Sequence, residues 1–179
     1  DYSFVGESAS SYAGWRVSGA GDVDGDGLDD ILVGAHLHDG GGTNSGKAYL
    51  ILGSSLGASS TIRLSDADYS FVGEYAGDYA GYHASGAGDV NGDGLDDILL
   101  GSIHSDAGGD NAGKAYLILG SSLGAAADFD LAEADHSFVG EAANDHASVS
   151  ASAAGDVDGD GLGDILIGAW ANDDGGSDA

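Results

Sequence analysis

The sequence contains no cysteine, no proline and no methionine, and only four basic residues among 179. Without cysteine, neither a disulfide scaffold nor a thiolate metal site is possible. Without methionine, the sequence is expected to be a processed chain or a segment of a longer one. The shortage of Lys and Arg stands against 31 acidic residues, for a formal charge of -27. A surface this acidic repels a nucleic-acid backbone and an anionic membrane face alike, so no nucleic-acid partner is expected. No run approaches 18 apolar residues, so no membrane insertion is expected, and no secretory signal pattern opens the sequence.

What is abundant is glycine, at 34 residues, and aspartate, which supplies all but four of the acids (Glu7, Glu74, Glu133 and Glu141). High net charge is the usual signature of disorder. Two features oppose that reading. The apolar residues, 42% of the chain, come in compact runs such as Ile31-Leu32-Val33 and Leu50-Ile51-Leu52. Much of the charge also falls in short, regularly placed Asp clusters, as a charged site inside a folded body would require.

Self-comparison sets the architecture. Phe4, Phe71 and Phe138 each sit in Ser-Phe-Val-Gly-Glu, 67 residues apart. Asp22, Asp89 and Asp156 open three Asp-rich loops at the same interval, and Lys47 and Lys114 open two copies of Lys-Ala-Tyr-Leu-Ile-Leu-Gly. Residues 1–67 and 68–134 align without a gap at roughly 45 identities. The expected organisation is therefore two full repeats, 1–67 and 68–134, and a truncated third, 135–179, in one continuous repeat domain.

Each repeat reads as short strands between Gly-rich turns. The expected strands are Trp15–Ala20, Asp30–Ala35, Lys47–Leu52 and Ser3–Glu7, with counterparts 67 residues on. No window holds a capped 3.6-residue apolar period, so the fold class is all-β with almost no helix. In Ala48-Tyr49-Leu50-Ile51-Leu52 both alternating sets are apolar, which places the strand in a sheet covered on both faces. Small four-stranded antiparallel sheets, each covered by its neighbours, are the blades of a β-propeller.

The first Asp loop presents Asp22, Asp24, Asp26 and Asp30 at positions 1, 3, 5 and 9, with the Leu28 carbonyl at position 7 and Gly27 at the turn. The second presents Asp89, Asn91, Asp93, the Leu95 carbonyl and Asp97; the third Asp156, Asp158, Asp160, the Leu162 carbonyl and Asp164. A flexible, anionic, all-oxygen set suits a hard divalent cation of calcium size, so one Ca²⁺ per repeat, three in all, is expected. Asn91 keeps the oxygen and drops a charge, which predicts weaker binding in the second loop. Position 8, occupied by Asp29, Asp96 and Gly163, varies as a non-ligand would. An EF-hand would need Glu at position 12, where Val33, Leu100 and Ile167 stand.

These motifs together resemble the FG-GAP repeat family, the repeats of integrin alpha propellers. Phe4-Val5-Gly6, Phe71-Val72-Gly73 and Phe138-Val139-Gly140 stand where the family has its Phe-Gly element. Val33-Gly34-Ala35, Leu100-Gly101-Ser102 and Ile167-Gly168-Ala169 stand at its Gly-Ala-Pro element, with the proline replaced by His36, Ile103 and Trp170. All three Asp loops match the family's Asp-x-Asp-x-Asp-Gly-x-x-Asp, apart from Asn91. The resemblance implies calcium in the hairpin between the first and second strands of each blade, in a structural role. Such a propeller closes with seven blades, so these repeats give an incomplete ring: blades at 14–74 and 81–141, and half a blade at 148–170.

The expected partners follow. Exposed blade faces call for further FG-GAP repeats, either in the same longer polypeptide or in copies of this chain as a homo-oligomer or filament. Weak calcium sites fill only where calcium is plentiful, which points to an extracellular or cell-surface location. The expected function is a calcium-binding structural or adhesive module with a protein or glycan ligand, and not an enzyme. The alternatives are the propeller portion of a secreted hydrolase or lyase, or a designed consensus propeller. His36 and His38 read as an exposed loop, and His83, His104, His136 and His146 as scattered. Trp15 reads as core, Trp170 as a blade cap or contact, and Lys47 and Lys114 as partners of nearby Asp residues.

Overall fold

A computed structural model describes residues 1–57, 59–124 and 126–173, and it consists of strands, turns and four single turns of 3-10 helix. The first repeat contributes β1 (Ser3–Val5), β2 (Arg16–Gly21), β3 (Asp30–Ala35), β4 (Lys47–Ile51) and β5 (Thr61–Arg63). The second contributes β6 (Tyr69–Val72), β7 (Ala80–Gly88), β8 (Asp97–Ser102), β9 (Lys114–Ile118) and β10 (Asp128–Asp130). The third contributes β11 (His136–Val139), β12 (Ala147–Gly155) and β13 (Asp164–Ala169).

Strands β2, β3, β4 and β6 form the first blade, antiparallel throughout, and β7, β8, β9 and β11 form the second. Strands β12 and β13 pair only with each other. No closed ring forms among the described residues, as the repeat arithmetic predicts. The second strand of each blade falls at the expected residues. The outer strands end at Val5, Val72 and Val139, two residues earlier than expected. The sequence reading also missed β5 and β10. These three-residue strands run parallel to β1 and β6, respectively, so β10 adds a fifth strand to the first blade.

Both-face burial of the third strand follows from its neighbours. Ala48 and Leu50 of β4 join Ala84, Ile98 and Leu100 of the second blade in one core. Tyr49 and Ile51, on the opposite face, pack with Val33, Leu64 and the half-buried Phe4. A third core joins Leu99 and Leu117 to Ala151, Ile165 and Ile167 of the last blade. Between blades the innermost strands touch through their backbones. A methyl group on Gly34 would lie 2.2 Å from the Gly81 carbonyl oxygen, so only glycine allows this approach.

Candidate metal centre

The three Asp loops join the first and second strands of each blade and lie at one end of the row. Their shape is held by carboxylates accepting from the loop's own amides. Asp22 Oδ1 accepts from Gly25 N–H at 2.9 Å and Oδ2 from Gly27 N–H at 3.0 Å. Asp24 accepts from Asp26 N–H and Asp26 from Leu28 N–H. Asp30 closes the loop, accepting from Val23 N–H at 2.9 Å and, across the blade, from Gly53 N–H at 2.7 Å. The same bonds recur at Asp89, Asn91, Asp93 and Asp97, and at Asp156, Asp158, Asp160 and Asp164 apart from the cross-blade one. Gly25 and Gly27 have φ of 77° and 88°, which a side chain would strain, so the loop needs glycine where the motif has it.

In the first loop, oxygens of Asp22, Asp24 and Asp30 lie within 4.8 Å of one another, and in the third those of Asp156, Asp158 and Asp164 do. Asp26 and Asp160 stand outside these clusters. The second loop differs chemically. Asn91 Nδ2 donates to Asp93 Oδ2 at 2.8 Å, so an amide hydrogen supplies part of the positive character that a cation would supply elsewhere. That bond and others hold the Asp93 carboxyl below its usual range, a hydrogen bond with Ser121 first among the causes. Asp30 is 1% exposed, and burial raises its carboxyl, with Asp24 and Asp26 adding to the rise against the amides of Gly53 and Val23. A buried carboxylate facing like charges, with oxygen donors only, fits a calcium-sized cation.

Position 8, read as a non-ligand, ties the loops together. Asp96 N–H donates to the Asp22 carbonyl at 3.0 Å, and Asp22 N–H donates back to Asp96 Oδ2 at 2.9 Å. Gly163 N–H donates to the Asp89 carbonyl at 2.8 Å in the next pair. Leu95 and Leu162 of the later loops lie against Gly25 and Gly92 of the earlier ones.

The opposite end of the blades overturns several expectations. His36 and His38 are buried, not exposed, and burial lowers the pKa of both. His36 lies among the rings of Tyr12, Trp15, Tyr79 and Tyr82, and the rings continue through His104 and His146 to Trp170. Trp15 is 49% exposed, at the surface and not in the core. Tyr12, Tyr79 and His146 hold one repeat position with φ of 55°, 61° and 51°, uncommon for bulky residues. Their 67-residue spacing was the available signal.

Lys47 and Lys114 pair with glutamates, not aspartates, because each opens its strand at the end away from the Asp loops. Lys47 Nζ donates to Glu7 Oε2 at 3.0 Å and Lys114 Nζ to Glu74 Oε1 at 2.5 Å. Tyr49 donates to the same Glu7 oxygen at 2.7 Å, and each ammonium lies about 5 Å from a Tyr ring, that of Tyr49 or Tyr116. Each Glu follows the outer strand of one blade, and each Lys belongs to the next, so the pairs staple consecutive blades.

Comparison with known proteins supports the repeat and blade architecture. The FG-GAP repeat family matches residues 13–51 and 80–118. The chain is 31% identical over 136 residues to Integrin alpha-PS2 of Drosophila melanogaster, covering 69% of the chain and 9% of that protein. It is 36% identical over 107 residues to Integrin alpha-5 of Xenopus laevis, covering 56% of the chain and 9% of that protein. The chain thus spans a small fraction of the length of these relatives.

Proposed function

Because this chain belongs to the FG-GAP repeat family, we propose that it is a calcium-binding structural module of an extracellular adhesive propeller, its repeats completed by others. Convergence of three carboxylates in the first and third loops carries this reading. Asp22, Asp24, Asp26, Asp30 and the Leu28 carbonyl would hold one ion. Asp156, Asp158, Asp160, Asp164 and the Leu162 carbonyl would hold another. Asp89, Asn91, Asp93, Asp97 and the Leu95 carbonyl would hold a third, more weakly. A bound cation offsets carboxylate repulsion and fixes the hairpin, so its binding energy becomes folding energy. Sites of extracellular type bind at about 10⁻⁴–10⁻³ M, which at a few millimolar calcium stabilises by roughly 1–2 kcal/mol per site.

Calorimetric titration with calcium tests this. Three binding events are expected, the weakest lost in Asp89→Ala and the stronger two in Asp22→Ala and Asp156→Ala. Absence of calcium binding at millimolar concentration would refute the proposal. The exposed faces of the outer blades support association with further repeats, in a longer polypeptide or in other copies. Particle imaging in millimolar calcium distinguishes rings, filaments and single chains.

A further inference from the structure

Asn91-Gly92 is the only Asn-Gly pair in the chain, and it lies in the second Asp loop with both residues exposed. The other asparagines are placed differently. Asn44, Asn111 and Asn144 precede Ser45, Ala112 and Asp145, which are 0%, 0% and 2% exposed. The amides of those three residues are bonded to the carbonyls of Gly42, Gly109 and Ala142. Asn172 precedes Asp173, which carries a side chain beside its amide. Only after Asn91 is the next amide nitrogen both at the surface and free of a neighbouring side chain.

Two hydrogen bonds bear on the reactivity of this pair. Asp93 N–H donates to Asn91 Oδ1 at 2.9 Å and draws electrons from Cγ. Gly92 N–H donates to Asp89 Oδ1 at 2.7 Å, which occupies that nitrogen while the loop is closed. Both bonds join exposed loop residues, so brief opening of the loop releases the nitrogen.

We propose that Asn91 is a site of spontaneous deamidation, which turns the amide loop into a carboxylate loop. The Gly92 nitrogen gives up its proton and attacks Asn91 Cγ. The Cγ–Nδ2 bond breaks, and Nδ2 leaves as ammonia with a proton in exchange. A five-membered succinimide remains, and water adds to one of its two carbonyls. Cleavage between Cγ and the Gly92 nitrogen gives aspartate at position 91. Cleavage between the main-chain carbonyl carbon and that nitrogen gives isoaspartate. Water enters, ammonia leaves, and no oxidant or reductant takes part.

The two products differ in consequence. Aspartate gives the second loop the ligand set of the first and third, in place of the bond from Asn91 Nδ2 to Asp93 Oδ2. Without a cation the new carboxylate repels Asp93, so the converted loop depends more on calcium. Isoaspartate lengthens the main chain by one carbon and breaks the ligand spacing. The weak loop thus becomes, as the chain ages, either a strong site or none. The modification stands without the calcium proposal. Its slowing by calcium rests on that proposal, because a cation held by Asp89 and Asn91 keeps the loop closed.

The test incubates the 179-residue chain and a synthetic peptide of residues 88–97 at physiological temperature and pH, in EGTA and in a few millimolar calcium. Mass spectrometry of the tryptic fragment 64–114 reads a gain of one dalton, and isoaspartyl methyltransferase labels the isoaspartate. In EGTA the gain is expected at position 91 alone, within about tenfold of the peptide's rate. Calcium should slow the chain about tenfold and leave the peptide unchanged, as a site of about 10⁻⁴–10⁻³ M requires. Asn91→Gln, which would have to close a six-membered ring, should show no gain. Asn91→Asp should bind calcium about tenfold more tightly than the parent chain. An unchanged position 91 in EGTA, after the peptide has fully converted, would overturn the inference, as would equal conversion at Asn111 in the same fragment. Conversion that calcium does not slow supports the modification and counts against a cation in the second loop.

Discussion

Leu32, Leu99 and Leu166 hold one position in three repeats, on strands that read Asp-Ile-Leu followed by an aliphatic residue and glycine. The first two are 0% exposed and the third is 63% exposed. Each leucine faces the blade that follows: Leu32 meets the second blade and Leu99 the third. Leu166 meets no described residue of a further blade. Full burial of such a side chain stabilises by about 1.5–3 kcal/mol. Near-identical local sequence therefore carries very different energetic weight, and the difference resides in the neighbour. This is the behaviour of a repeat array, whose stability is a sum of unit and interface contributions.

The largest expected effect is calcium removal. Three sites at roughly 1–2 kcal/mol each amount to about 3–6 kcal/mol, and at this size each kcal/mol moves the melting temperature by about 2–4 °C. EGTA should thus lower the midpoint by about 10 °C in a thermal melt. Amide exchange should accelerate in β12 and β13 before it does in β7 to β9, since two strands with one covered face open first. An unchanged melting curve would sink the calcium reading.

Leu99→Ala and Leu166→Ala test the comparison directly. Denaturant titration should show a loss of about 2–5 kcal/mol for the first and under about 0.5 kcal/mol for the second. Equal losses would mean that Leu166 is buried in solution by something that covers the third blade. The blade staples give a smaller contrast. Glu74→Gln leaves Lys114 in a largely buried setting and should cost about 1–3 kcal/mol, whereas Glu141→Gln should be neutral within about 0.5 kcal/mol.

A last contrast concerns Asp78, whose Oδ2 is buried without a partner. Burial, assisted by Glu74 and Asp106 and opposed by Lys114, pushes its pKa up to about 6. A carboxyl raised in the folded state binds a proton more tightly folded than unfolded. Its contribution to stability therefore falls as pH rises from about 4 to 6, then stays flat. Asp78→Asn should remove that fall and raise the melting temperature at pH 7.5 by a few degrees, about 1–3 kcal/mol. Identical pH profiles for wild type and Asp78→Asn would refute the assignment.

The blades were legible because their signals are local or periodic. Apolar residues on both faces of Lys-Ala-Tyr-Leu-Ile announced a doubly covered strand, and the Asp spacing announced the loops. What escaped depends on contacts across repeats. Nothing within Thr61–Arg63 signals a parallel partner, and His36 owes its burial to rings from two repeats. The glutamate staples were legible in principle. Three of only four glutamates recur at 67-residue spacing, and the first two lie forty residues before a lysine. Position 8 varies because its backbone amide makes the contact in both interfaces, so the side chain is free to differ.

That amide contact gives the row of loops a direction. Each loop is gripped from the side of its successor: Asp96 holds Asp22, and Gly163 holds Asp89. Loss of the Asp96 carboxylate is therefore felt one repeat upstream, at Asp22, in a loop whose own sequence is intact. The first grip uses a carboxylate as well as an amide, while the second uses the amide alone, because Gly163 has no side chain. The rim is thus graded, with two of these bonds between the first two loops and one between the last two.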